Sequence, residues 1–170
     1  RGVDCTHLVF WFCGGGDHRD RHAFPTRRSS ELPSGLARTL QNLTTVRTEY
    51  SEENRSAKGA YTLSGNADAK VTIFASGSEV ELAVAAAKTL GEKGTTVRVV
   101  SVPSTELFFE QPDAYRAEIL GKSPVKIAVE AGVREGWDAF IGPEGTFIGM
   151  KGFGASGPAK DVFKHFGITA

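Results

Sequence analysis

Residues 69–104 read AKVTIFASGSEVELAVAAAKTLGEKGTTVRVVSVPS, and a change of hydrophobic period inside this stretch decides the fold. The β-branched and aromatic run through Phe74 is apolar enough for a strand covered on both faces, and Gly77 ends it. From Ser78 the period becomes helical. Val80, Ala83, Val84, Ala87 and Leu90 recur on one face, Ser78 and Glu81 stand at capping-box spacing, and Gly94 marks a stop. TTVRVVSVPS then returns to strand character until Pro103. Strand, helix and strand within about 35 residues make a βαβ unit, whose crossover is right-handed in about 98% of cases.

Downstream, PDAYRAEIL (112–120) predicts a helix and VKIAVEAG (125–132) a third strand. EGWDAFIG, TFIGMKGFG and SGPAKDVFKHFG follow. The last places Ala159, Val162, Phe163 and Phe166 on one face, with Ser156 as its expected cap, Pro158 in its first turn and Gly167 as its stop. The expected class is therefore α/β, a parallel or mixed open sheet with helices on both faces. Upstream, RTEYSEENRSAKGAY (47–61) is polar and lacks an apolar period, so it reads as a linker between domains.

Composition narrows the function classes. Twenty basic residues balance twenty acidic ones in a chain of 170 that is 40% hydrophobic, so the long-range field of a dedicated nucleic-acid or membrane-surface binder is missing. A small molecule or a protein is the better partner. The apolar run LVFWF (8–12) is far shorter than the ~20 residues of a membrane span. Both cysteines, Cys5 and Cys13, precede the sheet region, which leaves it without a disulfide framework or cysteine metal site and points to a reducing, cytoplasmic setting.

Residues 16–32, GDHRDRHAFPTRRSSEL, gather the metal-ligand types Asp17, His18, Asp20 and His22. Read in frame, however, a common sequencing-library adapter encodes GDHRDLHSFPTRRSSDL, which differs at three positions. Residues 1–32 are accordingly expected to be a non-native, disordered junction, excluded from fold reasoning, and no metal site is assigned.

Four features of the remaining chain bear on chemistry. GFGASG (152–157) satisfies G-x-G-x-x-G, but no acidic residue about 20 positions further on can follow it, so it reads as a glycine-rich approach to a helix. ASGSE (75–79) is a strand-to-helix turn where backbone N–H groups are able to meet an anion, although Ser78 as a cap would satisfy some of them. Glu130 ends the third strand, where open α/β sheets place ligand contacts, and a structural or interface hydrogen bond is an equal reading. His165 suits a helix C-terminus, and with no histidine from Pro33 to Lys164 a Ser-His-Asp triad is not available.

Taken together, RTEYSEENRSAKGAY, IFASGSEVELAVAAAKTL, VRVVSVPSTELFFEQPDAYRAEIL, VKIAVEAGVREGWDAFIG and FIGMKGFGASGPAKDVFKHFGIT resemble the C-terminal part of bacterial transketolases, from Pro33 to Ala170. The resemblance implies that residues 33–65 are the end of a pyrimidine-binding domain plus a linker, and 66–170 a cofactor-free C-terminal domain lacking its closing helix. It implies a parent transferase of the pentose phosphate pathway, a cytoplasmic homodimer. Using thiamine diphosphate and a divalent ion, magnesium or calcium, that enzyme moves a two-carbon ketol unit from a ketose phosphate to an aldose phosphate. The segments that perform this chemistry in the family are missing here, so the expected role is scaffold and subunit contact, with no catalytic residue and no cofactor bound. The family's substrate-phosphate arginine falls at Leu40, with Arg38 two residues earlier, about 7 Å along an extended chain. Ser78 and Glu130 are kept as anion or strand-end contacts. The alternatives are a non-catalytic module binding a small anion, and the C-terminal domain of another thiamine-dependent enzyme.

Overall fold

The computed structural model describes residues 10–13, 34–37, 43–48 and 51–169. Strands β1 (Phe10–Cys13) and β2 (Ser34–Ala37) pair antiparallel, Phe10 opposite Ala37 and Cys13 opposite Ser34. Phe10–Cys13 thus forms a strand inside the segment expected to be disordered. The rest of 1–32, including Asp17, His18, Asp20 and His22, lies outside the described residues, as do Arg38 and Leu40.

The main sheet has five strands in the order β3 (Tyr61–Ser64), β5 (Val97–Ser101), β4 (Val71–Ala75), β6 (Val125–Val129), β7 (Thr146–Ile148). β3 is antiparallel to β5 and the other pairings are parallel, which makes the sheet mixed. Alternation along the strands builds two cores. Phe74, Val100 and Ala128 face one side, with Phe108, Ile119, Trp137, Phe140 and Ile141. Ile73, Ala75, Val99 and Val129 face the other, with Val80, Ala83 and Ile168. Helices α2 (Thr105–Phe109), α3 (Asp113–Leu120) and α4 (Asp138–Ile141) supply the first core, and α1 (Glu79–Glu92) and α5 (Ala159–Phe166) pack on the second. The helices on both faces match the expected class. Phe140 sits 5.1 Å from Phe108 and 5.7 Å from Phe74, ring centre to ring centre. Each of these buried rings contributes about 1.5–3 kcal/mol through removal from water.

The differences from expectation are local. The sheet begins at Tyr61, ahead of the boundary expected at 66, and a 3-10 turn at Arg55–Lys58 precedes it in the presumed linker. β3 is a short edge strand with a register shift between Thr62 and Ser64, so alternation over so few residues carried no readable pattern. α2 was not expected; Ser104 caps it, its hydroxyl accepting from the Leu107 N–H at 3.3 Å. No capping box forms at α1. Ser78 is itself helical (φ −60°, ψ −27°) and gives no cap bond, while Glu81 accepts from the Thr44 hydroxyl at 2.6 Å. Ser156 does not cap α5 either, since Pro158 takes the N-cap position. The predicted stop holds: Gly167 is left-handed (φ 72°), the Ile168 N–H reaches the Phe163 carbonyl at 3.0 Å, and Ile168 buries into the second core.

Candidate functional site at the strand ends

The chain leaves β4 through α1 on one face to reach β5, and leaves β5 through α2 and α3 on the other face to reach β6. The connections therefore diverge between the C-terminal ends of β4 and β6, the place where open α/β sheets form a ligand crevice. Ala75 pairs with Val129 in register, which brings the next residues, Ser76 and Glu130, side by side. The Ser76 hydroxyl donates to Glu130 Oε2, and both residues are buried.

A second carboxyl joins them from the first turn of α1. Glu79 is only 1% exposed and accepts from the Ser78 hydroxyl at 2.6 Å. Burial pushes its carboxyl up, opposed by bonds from Ser78 and from the backbone N–H groups of Glu79 and Ala131. Burial pushes Glu130 up to about 8, against the Ser76 bond and with further help from the Glu79 charge. Backbone bonds fix the walls: the Glu130 N–H donates to the Ile148 carbonyl at 3.1 Å, and the Met150 N–H to the Gly132 carbonyl at 2.8 Å. Near neutrality the crevice holds a carboxylic acid that keeps its proton. It can accept or donate hydrogen bonds, while the Ser76 and Ser78 hydroxyls beside it are already committed to Glu130 and Glu79.

The structure thus brings Ser78 and Glu130 to one site and adds Ser76 and Glu79, which sequence reasoning passed over. Glu79 received no reading of its own, and no local pattern announces its burial. The glycines at 152–157 form an exposed loop between β7 and α5; a Cβ added at Gly152 would meet nothing within 4 Å, and one at Gly157 would stand 3.2 Å from Val162 Cγ2. His165 packs edge-on against Phe166.

A second buried polar group lies on the α3 side of the sheet. Arg98 is 2% exposed, its Nε donating to the Thr62 hydroxyl at 3.1 Å and its Nη2 to the carbonyls of Glu118 and Ile119 at 3.0 and 2.8 Å. In register beside it, the Thr72 hydroxyl lies 2.7 Å from that of Ser123, which donates to the Ala69 carbonyl at 2.7 Å. Lys126 completes the row, and burial, then the Arg98 charge, holds its ammonium below the ordinary lysine range.

Among the described residues, no group of three His, Cys, Asp or Glu side chains is placed to hold a metal ion, and no helix is long and apolar enough to cross a membrane.

The family described as "Transketolase-like TK C-terminal domain" matches residues 59–169, a span that begins just before β3 and so agrees with the sheet's observed start. The chain is 49% identical over 142 residues to the transketolase of Cereibacter sphaeroides, covering 84% of this chain and 22% of that protein. With the transketolase of Sinorhizobium medicae it shares 53% over 142 residues, 81% of this chain and 20% of the relative. The crystal structure of Pichia stipitis transketolase in complex with sedoheptulose-7-phosphate superposes with a TM-score of 0.72 at 37% identity, covering 84% of this chain and 20% of that one. The chain thus spans about a fifth of the length of these proteins. A five-stranded mixed sheet with helices on both faces, matched along most of its length to one domain of one kind of protein, places this chain in the transketolase C-terminal domain family.

Proposed function

We propose that this chain supplies the C-terminal domain of a transketolase, where it acts as scaffold and subunit contact while the chemistry takes place on other segments. The observation that carries this reading is the unbroken likeness to transketolases over more than four-fifths of the chain. The whole enzyme moves a two-carbon ketol unit from a ketose phosphate to an aldose phosphate in the cytoplasm, as a homodimer. The sugar phosphate in the Pichia stipitis complex fits that substrate class.

Thiamine diphosphate and its divalent ion supply the carbanion chemistry in such an enzyme. The described residues do not fit them. The strand-end crevice holds two buried carboxyls with raised affinity for protons, and among the described residues no group of three His, Cys, Asp or Glu side chains is placed to hold a metal ion. Against an anion-binding module at Ser78 and Glu130 stands the use of the nearby donors, since the Ser76 and Ser78 hydroxyls already donate to Glu130 and Glu79. Within this reading residues 1–32 are a non-native junction, 33–48 the end of the pyrimidine-binding domain, and Arg38 a displaced remnant of the substrate-phosphate site.

The test is a ketol-transfer assay on the purified 170-residue chain with thiamine diphosphate and magnesium. No turnover is expected; measurable transfer would overturn the proposal. Thermal shift with sugar phosphates or nucleotides is expected to be flat, whereas a concentration-dependent rise would favour the anion-binding module.

A further inference from the structure

We propose that Ser76, Glu79 and Glu130 form a proton-dependent latch across the switch point of the sheet, holding the ends of β4 and β6 together while Glu130 keeps its proton and loosening as that proton is lost.

The groups facing Glu130 come from three sides. From the end of β4, Ser76 offers a hydroxyl, 4% exposed. From α1, Glu79 offers a second buried carboxyl, itself held by Ser78. The chain after β6 and β7 comes so close that a Cβ on Gly132 would stand 3.2 Å from Glu130 Cγ, and one on Gly149 would meet the Phe147 ring and stand 2.6 Å from the Glu130 carbonyl oxygen. Among the described residues neither carboxyl has an ion-pair partner; of the two bases nearest Glu130 in sequence, Arg134 is bound to Asp138 and to the carbonyls of Gly142 and Pro143, and Lys126 lies at the other end of β6, beside Thr72 and within reach of the Arg98 charge. Two ionised carboxylates without a cation in so closed a space repel each other and forfeit hydration, so a retained proton is the cheaper state.

The latch ties together separate stretches of chain. The Glu79 N–H donates to the Ser76 carbonyl at 3.2 Å, and the Glu130 N–H to the Ile148 carbonyl at 3.1 Å, so parting Ser76 from Glu130 frees the β4–α1 turn from the β6–β7 exit. The sign follows from where the proton is held. The closed form keeps it up to about pH 8, whereas a solvated glutamate releases it near pH 4.5. Between those limits opening releases a proton, and its equilibrium constant rises about tenfold per pH unit, levelling off above the upper limit.

Hydrogen exchange of the full chain between pH 5.5 and 8.5, corrected for intrinsic base catalysis, tests this. The amides of Glu79, Val80 and Glu130 are expected to exchange through openings more frequent than those exposing Val99 in the sheet centre, the opening constant rising about tenfold per pH unit until it levels. Glu130→Gln is expected to remove most of the slope, leaving the smaller part that Glu79 contributes. A flat profile in the natural chain, exchange no faster than at Val99, or an undiminished slope in Glu130→Gln would overturn the latch. Should that variant fail to fold, the carbon-13 titration of the Glu130 carboxyl decides: a midpoint near 8 supports the proposal, and one in the ordinary glutamate range sinks it.

Discussion

The sheet buries charge-bearing groups in two places and solves the problem in opposite ways. On the α3 side, Arg98 stays a cation because three acceptors surround it, two of them carbonyls at the C-terminus of α3, where a positive charge also suits the helix dipole. At the strand ends, Glu79 and Glu130 have hydroxyl and N–H donors but no cation among the described residues, and Glu130 sheds its charge by keeping a proton. A guanidinium cannot do the same, since it remains protonated at any ordinary pH. Where the buried group cannot be neutralised, the fold must supply partners; where it can, stability becomes a function of pH.

The largest effect should come from removing the cation. Arg98→Ala deletes one of the largest fully buried side chains and leaves two helix carbonyls without their donor. A loss of about 3–5 kcal/mol in urea unfolding is expected, and it should change little between pH 6 and 9. A loss below 1 kcal/mol would mean that water serves the α3 carbonyls equally well and would break the contrast.

Gly121→Ala comes next. Gly121 sits at φ +59°, and its added Cβ would stand 2.7 Å from Arg98 Nη1, a buried atom without a partner. Backbone strain and the displaced guanidinium together should cost about 2 kcal/mol. Combining it with Arg98→Met should cost less than the sum, because the clash disappears with the guanidinium; simple additivity would show that strain alone matters.

At the other site the sign reverses. A glutamate whose carboxyl is pushed up in the fold adds stability at low pH that is lost as pH rises toward its raised value. Glu79→Gln should therefore gain stability relative to the natural chain as pH rises from 5 to 8, by less than Glu130→Gln. Denaturation midpoints at a series of pH values would show it; a constant difference would contradict the shared-crevice reading.

How much of this was legible beforehand depends on which physical term dominates. β4, α1 and β5 were readable because burial on both faces and a 3.6-residue period leave long, redundant signals, and Gly94 and Gly167 do mark their stops. β3 and α2 were not, being short elements whose identity is set by pairing with β5 and by the Ser104 cap. Family membership was legible in whole blocks of sequence. Glu130 was singled out by its place at a strand end, but Glu79 and Arg98 were not, because charged letters read as solvent-exposed until register brings hydroxyls and carbonyls around them. The supposed capping box failed for a related reason: Glu81 is claimed by Thr44, thirty-seven residues away, a long-range bond that no local pattern contains.

That bond offers the smallest effect and a useful boundary for the comparison. Thr44 donates to Glu81 through its hydroxyl at 2.6 Å and its N–H at 3.5 Å, but on an exposed surface where water competes for every partner. Two residues on, Val46 packs against the second core, so apolar contact rather than the polar pair should hold this segment to α1. Glu81→Ala is expected to cost no more than about 0.5 kcal/mol, with a coupling to Thr44→Val of similar size in a double-mutant cycle, whereas Val46→Ala should cost about 1 kcal/mol. Protease cleavage within 43–48 should rise more for Val46→Ala than for Glu81→Ala. If the order were reversed, the solvent-exposed pair would be acting with the strength seen only where Arg98 and Glu130 are shut away from water.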